Sequence, residues 1–196
     1  MKLPLSGVFL VLILLFAPLM TPTVQAQGKF GGRKIASSLK AGVNFVWLSE
    51  FDSQGIMFTN RYHHYVSDRL GLGLHAGLLS SARYDDVKNI YTIKNTYLVG
   101  GAEASFDILQ NESVAFRIGA GPMARRRSEL TTDEGVGGTQ DGSLTHVRTT
   151  DIGANAFIEN DFGILRNGVA GGRIEYMYYT QGTQVLSIGV HLGFQF

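Results

Sequence analysis

The sequence predicts an all-β chain, an eight-stranded antiparallel up-and-down transmembrane β-barrel. Three observations predict it. Apolar residues alternate with period two through most of the chain, the second strand face is filled with glycine, and the links between strands alternate between short and long.

The amino end stands apart from that pattern. Lys2 precedes an apolar run from Gly7 to Met20, interrupted by Pro18, and then come Pro22 and the small-residue exit Val24-Gln25-Ala26. A short basic start, an apolar middle and a small-residue exit describe a secretory signal peptide, expected over residues 1–26. A spanning helix needs about 20 apolar residues to cross ~30 Å of hydrocarbon, and this run is too short. Residues 27–196 are then the outer-membrane β-barrel domain of an exported Gram-negative protein. Of 17 Lys and Arg, Lys2 lies in the leader, which leaves 16 against 16 Asp and Glu. That balance argues against a nucleic-acid partner, whose footprint is a basic excess. With no cysteine, disulfides, thiolate metal sites and a lipoprotein anchor are all excluded.

The strands follow in order. Leu39, Ala41, Val43, Phe45 and Trp47 alternate with Ser38, Lys40, Gly42, Asn44 and Val46. Ile56 to Val66 is the weakest strand, with Asn60 and His64 interrupting its apolar face. Leu70, Leu72, Leu74, Ala76 and Leu78 form the third, against Gly71, Gly73, His75, Gly77 and Leu79. The fourth runs from Leu98 to Ile108 and the fifth from Val114 to Gly121. In the sixth, Ile152, Ala154, Ala156 and Ile158 oppose Asp151, Gly153, Asn155, Phe157 and Glu159. Ala170 to Tyr179 is the seventh, and Leu186 to Phe196 the eighth. Helical spacing of three and four fits none of these. Strands of about ten residues suit a tilted bilayer crossing.

Short links are expected at Ser67–Arg69, at Gln110–Glu112 and, somewhat longer, from Asn160 to Gly168; longer ones run from Ser80 to Ile90 and from Arg125 to Val147. Tight turns at one end and long loops at the other are the outer-membrane arrangement, with the long loops outside the cell.

A soluble barrel would put its apolar face inward and carry Lys, Glu and Thr outside. Here the second face carries Gly42, Gly71, Gly73, Gly77, Gly119, Gly121, Gly153, Gly171, Gly189 and Gly193 instead. Glycine weakens a strand unless space demands it, and the interior of an eight-stranded barrel is just wide enough for side chains. The few charges on that face, Lys40, Glu103, Asp107, Arg117, Asp151, Glu159, Arg173 and Glu175, are of mixed sign, as in a packed polar lumen. The apolar face must therefore meet lipid. Trp47, Tyr176, Tyr178, Phe106, Phe116, Phe194 and Phe196 sit at strand ends, where aromatic girdles form.

Ser187 to Phe196 resembles the carboxyl-terminal signal read by barrel-assembly machinery, with Gly189, Leu192, Phe194 and Phe196 in the pattern. Leu39-Lys40-Ala41-Gly42-Val43-Asn44-Phe45 is similar to the first strand of the small outer-membrane protein β-barrel domain family, the PorT-like, porin-family group. The resemblance covers the whole of 27–196 as a pattern. It implies the same fold and an assembly partner, and it carries over no catalytic residue.

Several residues invite a role. Glu103 and Arg117 are equidistant from a turn centred near Gln110, which predicts a facing lumen ion pair, read as structural in preference to a gate or proton path. Arg125-Arg126-Arg127 is placed where the fifth strand leaves the membrane, and arginine forks match the phosphates of lipopolysaccharide, though a solvated loop base fits as well. His63, His64, His75, His146 and His191 lack ligand spacing, and no metal or cofactor is expected. Asp133, Glu134 and Asp141 read as solvating. The expectation is a monomeric structural or surface-contact barrel without catalysis, touching lipid, lipopolysaccharide and an extracellular partner through its loops. Two alternatives stay open. One is a narrow channel or small-solute porin, the other a hydrolase with a rim site, for which Ser128 and His146 are present without a spacing that singles out a nucleophile.

Overall fold

The computed structural model describes residues 37–48, 53–85, 90–111, 113–132, 144–164 and 167–196. The leader expected over 1–26 lies outside the described residues, as do Asp133, Glu134 and Asp141. Eight strands follow one another: β1 (Ser37–Leu48), β2 (Ser53–Tyr65), β3 (Leu70–Asp85), β4 (Ile90–Gln110), β5 (Val114–Thr132), β6 (Leu144–Ile164), β7 (Gly168–Tyr179) and β8 (Val185–Gln195). Each pairs antiparallel with its sequence neighbours, and β1 closes on β8 in a barrel. Closure satisfies the backbone polar groups that hydrocarbon would leave stranded.

The alternation read from the sequence sorts the residues onto the two faces. In β3, Gly71, Gly73, His75, Gly77 and Leu79 are buried in the lumen. Leu72, Leu74 and Leu78 between them are 51%, 60% and 51% exposed. On β8, Val190 and Phe194 stand out just as far. A belt of large exposed aliphatic and aromatic side chains around a closed barrel is a lipid-facing surface, since water would not be left against so much apolar area. The inner glycines answer a shortage of space. A Cβ on Gly119 would lie 2.3 Å from Phe157 Cζ, and one on Gly71 2.0 Å from His63 Nε2.

Four strands run further than their hydrophobic alternation marks. β3, β4, β5 and β6 are 16, 21, 19 and 21 residues long. Most of the expected Arg125–Val147 loop is therefore strand, with the β5–β6 ladder continuing from Arg125↔Asp151 to Thr132↔Leu144. The Ser80–Ile90 loop contracts likewise. Beyond the lipid both faces of a hairpin are polar, so the ladder goes on after the apolar signal has stopped. The Asn160–Gly168 link shrinks as well, because β6 extends to Ile164. Register shifts interrupt the ladders between Arg83 and Tyr84 and between Asp107 and Leu109.

Candidate functional site

The lumen is divided by chemistry along its length. Its half nearer the chain termini and the short turns holds an ion network built from seven strands. Glu159 of β6 is the hub. Its carboxylate meets Lys40 Nζ at 2.6 Å, Arg61 Nη1 at 2.9 Å, Arg117 Nη1 at 3.0 Å and Arg173 Nη1 at 3.2 Å. Asp161 accepts from Lys40 at 2.5 Å and lies 3.0 Å from Arg117 and 2.5 Å from His191 Nε2. Arg173 reaches Glu103 at 2.6 Å and Glu175 at 3.1 Å, and its guanidinium stacks 3.5 Å over the Phe157 ring. All these side chains are buried. Charges persist there because each is paired and hydrogen-bonded; an unpaired one would carry its full desolvation cost.

The other half of the lumen is apolar. Val46, Leu48, Met57, Leu79, Tyr97, Val99, Met123, Met177, Tyr179 and Val185 form one buried cluster. Several of them belong to the inward set read from the sequence, yet a polar lumen was expected along the whole barrel. The signal was present in Val46, Leu79 and Met177, but only the register places them at one level.

Above this cluster lies Arg125, and here the sequence reading needs correction. The three arginines do not project together. Arg125 is buried, its Nε donating to Asp151 Oδ2 at 2.8 Å and its Nη groups to the carbonyls of Thr183 at 2.6 Å and Gln181 at 2.9 Å. Its guanidinium lies over the rings of Tyr97 and Tyr179, at 5.0 and 3.9 Å. It ties the β7–β8 turn across the outer mouth and is closed to lipid. Arg127 also points inward and donates to Thr149 Oγ1 at 3.0 Å. Arg126 alone of the three is exposed on the outer face. The cause is strand alternation where a loop was expected.

The Glu103–Arg117 pairing is likewise replaced. Both residues are inward and buried, but Arg117 faces Asp107, donating from Nε at 3.1 Å, while Glu103 binds Arg173. The turn is centred beyond Gln110, near residue 112, which shifts every facing pair. Among the described residues Glu103 and Arg117 are connected through Arg173 and Glu159.

Glu159, Asp161 and His191 bring ligand atoms within 4.8 Å of one another. The Lys40 ammonium stands among them, with Arg61, Arg117 and Arg173 behind it, so the position a metal ion would take already holds a cation. The other histidines are dispersed. His63 bonds Ser105 at 2.8 Å, His75 lies 3.5 Å from Glu103, and His64 bonds Ser37 at 2.8 Å. At the outer rim Ser128 Oγ meets His146 Nε2 at 2.8 Å, uniting the two residues a hydrolase would use. Arg148 Nε donates to the same nitrogen at 3.3 Å, and among the described residues no carboxylate orients the ring.

A groove of about 820 Å³ crosses the barrel wall from β6 through β7, β8 and β1 to β2, lined on its outer side by Ala41, Phe58, Phe162, Ala170 and Leu192. It opens on the outer face and is bounded on the lumen side by Gly42, Thr59 and His191. At the carboxyl end, Leu192, Phe194 and Phe196 are outward and exposed, and Gly189 is inward beside Asn44. Phe196 N donates to Ser37 O at 2.9 Å, and Ser37 N returns a bond of the same length.

No family model matches the chain, and no curated protein sequence matches it. Solved structures do. Ail, the attachment invasion locus protein of Yersinia pestis, in complex with the heparin analogue sucrose octasulfate, superposes with a TM-score of 0.58 at 16% identity, over 84% of this chain and 100% of Ail. Neisserial surface protein A gives 0.60 at 13% identity, over 83% of this chain and 97% of its own. The outer membrane protein OprG of Pseudomonas aeruginosa gives 0.57 at 9% identity, over 88% and 99%. At these identities the likeness is one of architecture. The chain has the closed eight-stranded fold that these outer-membrane proteins share.

Proposed function

We propose that this protein is an outer-membrane barrel of structural or surface-contact role, which neither conducts solutes nor catalyses a reaction. The filled lumen carries this reading. The ion network around Glu159 occupies one half, the cluster from Val46 to Val185 the other, and Arg125 with the β7–β8 turn lies over the outer mouth. Water-filled pores belong to barrels of about 16–18 strands, whereas eight leave room only for side chains. The surface free to act is the outer rim, onto which β3–β6 extend.

The wider reading includes export by a signal peptide cleaved after Ala26, insertion by barrel-assembly machinery through Gly189, Leu192, Phe194 and Phe196, and a monomer in the membrane. Kinship with the PorT-like group rests on the first-strand residues Leu39 to Phe45. Ail was crystallised with a sulfated sugar analogue, a precedent for a barrel of this shape binding a polyanion. Planar-bilayer recording tests the reading. The refolded protein should give no sustained conductance, and porin-sized steps that vanish on disrupting the lumen would make transport the function.

A further inference from the structure

Across β4, β5 and β6 the outward residues change character row by row. Pro122 and Ala154 form one level, and Gly100, Ala124 and Ile152 the next. Leu98, Arg126 and Thr150 follow, and then Thr96, Ser128 and Arg148. Each row lies two residues further along the strands, a rise of roughly 6–7 Å. The first polar row therefore begins one step beyond the last wholly apolar one, at the depth where lipid headgroups meet the barrel. On neighbouring β7 the exposed Tyr178 pairs with Ala154, two rows short of Arg126, so the aromatic girdle lies on the lipid side of the polar rows.

Arg126 and Arg148 are diagonal neighbours on this face, since Arg126 pairs with Thr150 and Ser128 with Arg148. Such neighbours have backbones about 7–8 Å apart, within reach of two long side chains converging on one group. Both are exposed, and so are Thr96 and Thr150. Among the described residues Arg126 makes no ion pair, and Arg148 donates to His146 alone. Among the described outward residues of these rows there is no carboxylate. Two guanidinium forks that no described carboxylate neutralises, flanked by hydroxyls and facing outward at headgroup depth, are complementary to a phosphate.

We propose that Arg126 and Arg148, with Thr96, Ser128 and Thr150, form a phosphate-binding site on the outer wall of the barrel, and that its occupant is a phosphate carried by an outer-leaflet glycolipid. The site rests on the membrane placement proposed above but not on the lumen being closed. A soluble phosphate is the other source of the same chemistry. Depth favours the lipid, because a headgroup anchored in the leaflet is held at the row where the arginines begin.

The test uses the full protein refolded in phosphatidylcholine vesicles doped with diphosphoryl lipid A or with its dephosphorylated form. Lipid retained on the protein after detergent extraction and affinity purification is then measured. Wild type should retain the phosphorylated lipid and not the dephosphorylated one. Arg126→Gln and Arg148→Gln should each lower retention about tenfold, as expected for losing a charge-assisted bond. Arg148→Lys should recover part of the loss, and Arg69→Gln, at the opposite end of the barrel, should change nothing. Heat-modifiable migration in gels verifies that each variant is folded. Undiminished retention by folded Arg126→Gln and Arg148→Gln overturns the site. Full displacement by millimolar inorganic phosphate overturns the assignment to lipid. Conductance with lipid retention intact would defeat the closed-lumen reading and leave this site standing.

Discussion

Lys40 Nζ and Glu159 Oε1 meet at 2.6 Å inside the barrel although 119 positions separate them. The contact joins β1 to β6, strands that share no ladder, and it braces the wall through the lumen. Glu159 does the same for β2 through Arg61, while Arg117 and Arg173 are its ladder partners on the adjacent strands β5 and β7. Replacing Glu159 by Gln removes the charge that four cations share. Breaking a buried pair on one side costs about 3–5 kcal/mol, because the partner's charge stays buried without compensation. Urea unfolding of the refolded protein in vesicles should show a loss of that order for Glu159→Gln. Changing Lys40 to Met in addition should return part of the loss, since it removes one of the stranded charges.

The faces of the wall give a contrast between adjacent positions. Leu74 is 60% exposed on the outer face, opposite Tyr62 and Ala102. Leu74→Arg should cost roughly 2–4 kcal/mol, the penalty for a cation on the lipid face near the midplane. Gly73→Val should fail by overfilling. A Cβ there would come within 2.9 Å of Glu103 Cγ and 3.1 Å of Tyr62 O, pressing on the carboxylate that holds Arg173. The two variants should differ in detergent. Exchanging bilayer for a mild micelle should relieve much of the Leu74→Arg deficit and none of the Gly73→Val deficit, as read by equilibrium unfolding in both media.

These two positions show why the fold was legible in the chain. A strand buried on one side writes its faces into every second residue, and Leu186 to Phe196 does so without exception. Partners across the lumen are written nowhere so directly. They depend on register, and an error of two residues in a turn centre sends Arg117 to Glu103 in place of Asp107. The extended ends of β5 and β6 were illegible for a different reason. Outside the lipid both faces are polar, so Arg125, Arg126 and Arg127 read as a charged loop while their backbone is still in a ladder. The apolar half of the lumen falls between these cases. Its residues are individually inward in the alternation, but their shared level emerges only from eight registers taken together.

The carboxyl end tests assembly separately from stability. Phe196 exchanges two backbone bonds with Ser37 while its ring faces outward, and Phe194 beside it is 70% exposed. Phe196→Ala keeps the backbone bonds and removes only a ring on the lipid face. Its unfolding midpoint in vesicles should stay close to wild type, whereas insertion into outer membranes in cells should fall. The amount of heat-modifiable protein in the membrane fraction measures the second quantity. An equal loss in spontaneous refolding would assign the ring to packing at the barrel seam and remove the assembly role.

Arg125 and Arg126 are chain neighbours with opposite surroundings, and the wall between them predicts opposite outcomes. Arg125→Ala strands Asp151, whose Oδ1 makes no hydrogen bond in the folded protein and whose Oδ2 depends on Arg125. It also frees the carbonyls of Gln181 and Thr183 and uncovers the rings of Tyr97 and Tyr179. Asp151 then keeps only the Arg127 guanidinium, 4.0 Å away, and a buried carboxylate so weakly compensated should cost about 3–5 kcal/mol. Arg126→Ala removes an exposed side chain with no described ion pair, and surface changes of that sort stay within about 0.5 kcal/mol. Unfolding in guanidinium, followed by tryptophan emission from Trp47, compares the two directly. Adding Asp151→Asn to Arg125→Ala should restore part of the stability, because the stranded charge is then gone. Equal behaviour of the two alanine variants would mean that Arg125 is not held inside the mouth, and the closure of the outer end by the β7–β8 turn would fall with it.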